Sequence, residues 1–347
     1  MLTVIAVRSA CAPPIAGGSR SFFGNSGTEA IEACVKLARY ASGRQNFIAF
    51  LGGFHGRSLG SLSLTSSKAI QRRGFGPLVP GVYHAPYADC YRCPIGHQPE
   101  TCAAECLDFI DHQIFVHLVT PDEVAAIIVE PIQGEGGYLV APEQFLQRLR
   151  ELTTAHGILL VDDEVQSGMG RSGKMFAIEY VGVEPDMVAI AKGIASGLPL
   201  GVAVARRGLM AWPPGAHAST FGGNPVSCAA ALETIAILKR ELVANAADVG
   251  AHLKSGLASL MDKHRLIGDV RGRGLMVGVE LVRDRQTKER AIEERDAVVT
   301  ACFTRGLLLL GAGKNAIRFS PPLILTREQA QTAVAIFDEA LTEVERR

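Results

Sequence analysis

Short, uninterrupted apolar runs that end in charged or glycine-bearing residues set the pattern of this chain. Phe47 to Leu51, Val124 to Val129, Ile158 to Val161 and Met187 to Ala191 contain no alternating polar positions. Each predicts a strand buried on both faces, the habit of parallel sheets. Segments of helical period lie between them. Ile31, Cys34, Val35 and Ala38 recur at helical intervals after Ser26, and Phe145, Leu149 and Leu152 do so after Pro142, with Gly157 closing that helix. Strand, helix and strand in succession make a βαβ unit, hence a parallel sheet.

The pattern changes after helices predicted from Val226 to about Leu242 and from Asn245 to Met261. Strands over 266–270 and 275–281, a helix over 290–304, strands over 307–310 and 316–319, and a last helix opened by Thr326 and Gln329 read as a compact α+β module. The expected organisation is an α/β protein with a mostly parallel sheet. An irregular Pro- and Gly-rich segment (1–20) precedes a large domain (21–242) and a smaller C-terminal α+β domain (243–347).

Composition narrows the class. The chain has 347 residues, 48% of them hydrophobic, and its 35 Lys+Arg balance 35 Asp+Glu for a net charge of +0. That balance gives nucleic acid or an anionic membrane no electrostatic handle. No window approaches the ~20 apolar residues of a bilayer span. The start resembles a leader at Ala10-Cys11-Ala12, but its apolar stretch, Leu2 to Val7, is short, is interrupted by Arg8 and lacks a basic region before it. The expectation is a cytoplasmic protein without a membrane or nucleic-acid partner.

Candidate chemistry collects where the apolar runs stop. Ile158 to Val161 ends in Asp162 and Asp163, Met187 to Ala191 ends in Lys192, and Val124 to Val129 ends in Glu130, followed by Glu135 among glycines. The C-terminal ends of strands are where open α/β sheets build ligand crevices. An ammonium there loses hydration, so the Lys192 amine is expected to turn nucleophilic enough for a Schiff base. Ser26 and Glu29 have capping-box spacing, so the turn Ser26-Gly27-Thr28 offers helix N-terminal N–H groups to an anion. The glycine loop 52–57 presents Phe54, His55 and Arg57 together.

Two further patterns were weighed. Gly168, Gly170 and Gly173 match a dinucleotide fingerprint, but no helical period opens at Gly173, so that reading is rejected. Cys90, Cys93, Cys102 and Cys106 are spaced C-x2-C-x8-C-x3-C. They fall short of the usual zinc-ribbon patterns, so reduced cysteines in a surface excursion are the expectation and no metal is assigned.

Taken jointly, FFGNSGTEAIEACVKLAR, GGFHGRSLGSLSLT, IIVEPIQGEGG, LLVDDEVQSGMGRSG, PDMVAIAKGIASGLPLG, STFGGNPVSCAAA and RGRGLMVGVEL resemble the class III pyridoxal phosphate-dependent aminotransferases of fold type I. The likeness is greatest to 4-aminobutyrate aminotransferases. It implies a seven-stranded sheet with helices on both faces, pyridoxal 5'-phosphate as cofactor, and transfer of an amino group from an ω-amino acid or ornithine-like donor to a 2-oxo acid. It further implies that Lys192 holds the cofactor and moves the substrate proton, and that Asp163 pairs with the pyridine nitrogen. Ser26, Gly27 and Thr28 would cup the phosphate, Phe54 and Val165 flank the ring, Gln166 approach its phenolic oxygen, and His55 and Glu130 complete the cofactor site. Arg57, Arg318 and Glu135 would read the substrate. Thr220 would reach the phosphate of a neighbouring subunit, implying a homodimer with shared active sites. Another pyridoxal reaction (racemase, decarboxylase or semialdehyde aminomutase) would share Lys192 and Asp163 and is one alternative; because the family carries a longer region before the NSGTEA turn, a truncated, inactive cofactor-binding fragment is the other.

Overall fold

In the computed structural model, which describes residues 13–15, 17–98 and 102–347, the buried runs lie side by side. Strands β1 (Ser19–Gly24), β2 (Asn46–Phe50), β3 (Val82–Ala85) and β4 (Val124–Val129) are followed by a small hairpin, β5 (Ile132–Gln133) with β6 (Leu139–Val140). Next come β7 (Leu159–Asp163), β8 (Met187–Ile190) and β9 (Gly201–Arg206). Without the hairpin, these strands form one seven-stranded sheet in the order β1-β9-β8-β7-β4-β2-β3. Only β9 is antiparallel to its neighbours. The reason is its connection: residues 191–200 are too few for the crossover that a parallel return needs.

Helices cover both faces, as expected. Helix α1 (Gly27–Ser42) packs Ile31, Cys34 and Leu37 against Val161 and Ala189. After a short α2 (Leu59–Leu64), α3 (Glu143–Ala155) sets Phe145, Leu146 and Leu149 against Ile127 and Leu160 on the opposite face. Helix α4 (Pro225–Ile237) also joins that second face through Cys228, Ala231 and Ile235.

The observed ends depart from expectation in several places. Ser19 and Arg20, expected in the irregular start, open edge strand β1; a half-exposed strand shows no buried run to read. The call on residues before Pro13, Cys11 included, falls outside the described residues. At α1, Ser26 Oγ accepts from Glu29 N–H at 3.4 Å, but the Glu29 carboxylate bonds Asn25 N–H at 2.6 Å, so the reciprocal half of the capping box moves one residue outward. No break separates the two helices expected after residue 225. Helix α4 passes through a wide turn, Leu238–Leu242, straight into α5 (Val243–Ser259), since no Gly or Pro interrupts it there.

The rest is a second sheet. β10 (Ile267–Arg273), β11 (Met276–Asp284), β13 (Leu310–Ala312) and β14 (Ala316–Phe319) run antiparallel in the order β10-β11-β14-β13, with β12 (Glu289–Arg290) on β11. Helices α5, α6 (Ile292–Thr304) and α7 (Arg327–Glu345) close its apolar side. Thr326 and Gln329 form the expected capping box. β13 lies beyond the expected 307–310 because its pairing with β14 matches Leu310 to Arg318 and Ala312 to Ala316. Among the described residues, no helix is long and apolar enough to cross a membrane.

One strand carries an oddity. Asp162 is fully buried within β7, and neither carboxylate oxygen has a partner. By strand alternation it shares the face of Leu160, opposite Val161 and Asp163. Burial, with Glu164 and Asp163 nearby, pushes its pKa well above the usual carboxylate range. The native state therefore keeps a proton that the unfolded chain sheds above pH ~4, and stability falls as pH rises, by up to about 1.4 kcal/mol per unit. Asp162→Val should remove that decline and stabilise the protein by about 2 kcal/mol at pH 8, with little gain at pH 4.5, as read by urea unfolding at both values.

Candidate active site

The pairing of Val129 with Asp162 and of Asp163 with Ala189 puts the C-terminal ends of β4, β7 and β8 in line. Glu130, Asp163 and Lys192 follow from those ends. Together with Ser26, Gly27, Thr28, Phe54, His55, Arg57, Val165 and Gln166, they line one cavity of about 260 Å³. Eleven separate expectations thus meet at one place. Larger clefts lie elsewhere, among them one of about 660 Å³ beside Asp186. There the carboxylate is spent on Arg150 and Arg206, and the lining holds no free nucleophile.

Asp163 is fixed from two sides. His55 Nδ1 lies 2.7 Å from its Oδ2, and Val165 N–H donates to its Oδ1 at 3.1 Å. Burial opposes charge on His55, but Asp163 and then Glu130 prevail and raise its pKa. Glu130 clasps two loops, accepting from Phe54 N–H at 2.9 Å and Gly134 N–H at 3.0 Å. Burial raises its pKa to about 7, partly offset by His55.

Lys192 has φ +44°, a left-handed conformation that costs a non-glycine residue on the order of 1 kcal/mol. Its amine makes no hydrogen bond or ion pair among the described residues, and the side chain lines the cavity while keeping substantial solvent exposure. Burial lowers its pKa despite the pull of Asp163, Glu130 and Glu135. Such an amine is an unprotonated nucleophile over a wider pH range than an ordinary lysine.

An anion cradle closes the far end. With Glu29 N–H taken by Ser26 Oγ, the first-turn N–H groups of Gly27 and Thr28 remain for a ligand. A Cβ on Gly27 would sit 2.7 Å from Val165 Cγ1, so this turn approaches the β7 loop as closely as glycine allows. The Thr28 hydroxyl points elsewhere, to Ser58 and Ser61 at 2.7 and 2.6 Å. Cradle, carboxylate and free amine fit the phosphate, ring nitrogen and aldehyde of the expected cofactor.

At the mouth, Arg318 Nη1 meets Glu135 Oε1 at 2.6 Å, across 183 residues of chain. Burial disfavours charge on Glu135, but Arg318 and then Lys68 outweigh it and lower its pKa. Arg57 is exposed, with its guanidinium 5.5 Å from the Phe54 ring centroid. Thr220 does not join the cavity and is exposed. Its loop is anchored to β1 and α1 by Asn25 Nδ2 to Ser219 Oγ at 3.2 Å and by Phe22 stacked on His217. The sequence reading missed Lys68, 3.6 Å from the second Glu135 oxygen, and the Ser58–Ser61 hydroxyls around Thr28. Neither has a local signal, because only the fold brings them to their partners. The rejected dinucleotide motif is indeed no helix opening: Gly170 and Gly173 lie in turns at φ +80° and +88°.

A family model for class III aminotransferases matches residues 10–341. The chain belongs to the class III aminotransferases. It is 41% identical to the 4-aminobutyrate aminotransferase GabT of Escherichia coli, over 90% of this chain and 74% of that one. It is also 39% identical to the alanine/serine racemase of Pyrococcus horikoshii, over 93% of this chain and 69% of that one. An amine transaminase from an uncultivated Pseudomonas species, solved in its PLP-bound form, superposes with a TM-score of 0.88 at 32% identity, covering 98% of this chain and 81% of that one. The two-sheet architecture with a mostly parallel large sheet is therefore that of this aminotransferase family.

The Glu130 clasp gives a test of the site's construction. Glu130→Ala leaves two buried N–H groups without acceptors and should destabilise the protein by about 3 kcal/mol, with Glu130→Gln losing roughly half as much. Thermal unfolding of the ligand-free variants checks both.

Proposed function

We propose that this class III aminotransferase transfers the amino group of an ω-amino acid, 4-aminobutyrate-like or ornithine-like, to a 2-oxo acid such as 2-oxoglutarate. The observation that carries this reading is the Glu135–Arg318 ion pair beside Lys192. It is an arginine able to grip a carboxylate, paired with a glutamate able to neutralise it when the donor has none nearby.

Bound pyridoxal 5'-phosphate supplies the electron sink for negative charge on the substrate's reacting carbon. The chain's residues do the rest. Gly27 and Thr28 N–H groups with Ser26 would hold the phosphate, Phe54 and Val165 would flank the ring, and Gln166 would approach its phenolic oxygen. Asp163, positioned by His55, would pair with the ring nitrogen. Lys192 would hold the cofactor through its aldehyde, and its free amine would move the proton at the substrate's reacting carbon. Arg318 binds the α-carboxylate of the 2-oxo acid and Arg57 the distal carboxylate. Thr220, exposed beside Phe221, itself 73% exposed, reaches the phosphate of a second subunit in a homodimer.

A second reading is favoured by the racemase relatives at 39% and 40% identity. It is α-amino acid racemisation on the same residues, with the proton returned to the carbon it left. Spectra of purified protein with pyridoxal 5'-phosphate decide. The transaminase reading expects a Lys192-dependent visible band that 4-aminobutyrate bleaches and 2-oxoglutarate restores. Inversion of an L-amino acid without any 2-oxo acid, and no bleaching by 4-aminobutyrate, supports the racemase. A protein that never colours defeats both. Subunit sharing has its own check: mixed Lys192→Ala and Thr220→Ala dimers should regain up to about a quarter of wild-type activity per active site if the sites cross subunits, since one site per hybrid is then intact.

A further inference from the structure

The excursion between β3 and the helical turn at Glu105 holds the four cysteines that the proposed reaction leaves unused. Cys90, Cys93, Cys102 and Cys106 line one small cavity of about 40 Å³. That is room for one water or one ion, not a cluster. Local structure explains their convergence. The Gly96 N–H donates to Cys93 O and Arg92 N–H to Asp89 O, closing tight turns around the C-x2-C pair. Ala104, at φ +64°, reverses the chain between Cys102 and Cys106. No disulfide joins any of the four, all of which are free thiols.

We propose that Cys90, Cys93, Cys102 and Cys106 form a structural zinc site. An all-sulfur donor set from two close pairs suits tetrahedral Zn²⁺, which closes such sites without leaving a position for water. Each thiol gives up its proton, so binding one Zn²⁺ releases four protons and leaves a site of charge −2. Arg148, whose Nη1 donates to Ala103 O at 2.8 Å, lies beside that charge. In the metal-free arrangement Cys102 Sγ donates to Glu105 at 3.2 Å, and His97, Cys102 and Glu105 make a closer group than the four sulfurs do. Zinc binding therefore turns Cys102 away from Glu105 and into the cavity.

The excursion is a strut, which gives the ion a purpose. Tyr87 Oη donates to Glu130 O at 2.9 Å, at the root of the active-site loop. Arg92 donates to Glu280 Oε1 and Lys288 O, on the second sheet. A single ion would thus stiffen the span that joins the two sheets.

The test uses the full chain purified without chelator. Elemental analysis should find about one zinc per chain, released by a mercurial thiol reagent. Reduced, metal-stripped protein should take up one Co²⁺ with a thiolate-to-cobalt charge-transfer band. Cys93→Ser and Cys106→Ser should each lower bound zinc at least tenfold, whereas His97→Ala and Glu105→Ala should retain it. Should a serine variant fail to fold, cobalt titration of the stripped wild type still reads the site. Zinc retained in the cysteine variants, loss of zinc in His97→Ala, two disulfides in the native chain, or four free thiols that take up neither metal would each overturn the proposal.

Discussion

The site depends on one buried imidazole, His55, set among four buried acids. Asp163 is 3% exposed, and beside it lie Asp162, Glu164 and Glu130, all of which burial drives toward the neutral form. One positive partner cannot satisfy four acids. The fold gives it to Asp163 alone, by placing the buried His55 ring 2.7 Å from Oδ2. Glu130 and Glu164 are instead bound by backbone N–H groups, which stabilise a carboxylate without adding charge. Asp162 receives nothing. Removing the His55 ring would thus leave the Asp163 carboxylate with the Val165 N–H as its remaining hydrogen-bond partner.

The same economy links the two sheets. Arg271, in β10, donates to Gly137 O at 3.0 and 2.8 Å and pairs with Asp269 and Glu280, while Arg92 reaches Glu280 from the cysteine excursion. Gly137 ends the loop that carries Glu135, and Arg318, which Glu135 meets, stands on β14 of that second sheet. The second sheet therefore supplies one half of the mouth and also holds the backbone that supplies the other half. Both halves of the mouth are thus tied to the second sheet, whereas Asp163, Lys192 and the anion cradle stand at strand and helix ends of the large sheet.

The central sheet and the strand-end chemistry were legible because parallel strands buried on both faces announce themselves as apolar runs, and because Lys192, Asp163 and Glu130 break those runs abruptly. Edge strand β1 was not, since half its positions face outward and no run forms. The α4–α5 passage differs from the two helices expected because Val243 and Ala244, where the expected break falls, keep their backbone N–H groups, and no Gly or Pro stands there to end a helix. Pairings between distant residues, such as Lys68 with Glu135 or Thr28 with Ser58, leave no periodic trace. They are consequences of the sheet order, which the resemblance implied as a class and the sequence pattern alone did not specify. The four cysteines were visible by spacing, but their shared cavity became visible only in three dimensions.

In the proposed function, the Glu135–Arg318 pair has to open for one substrate and close for the other, and its cost can be bounded. A charge-assisted hydrogen bond of this kind contributes roughly 1.5–3 kcal/mol, less than the roughly 4–8 kcal/mol that accompanies millimolar to micromolar substrate binding. A carboxylate arriving at Arg318 can therefore displace Glu135, provided that Glu135 is not left without a partner. Lys68, 3.6 Å from its other oxygen, is already in place. Because Lys68 is more exposed than Arg318, it is the weaker of the two cations for a half-buried acid, so the closed pair remains the resting arrangement. The difference between the two partners, rather than the strength of either, sets how readily the mouth changes its charge.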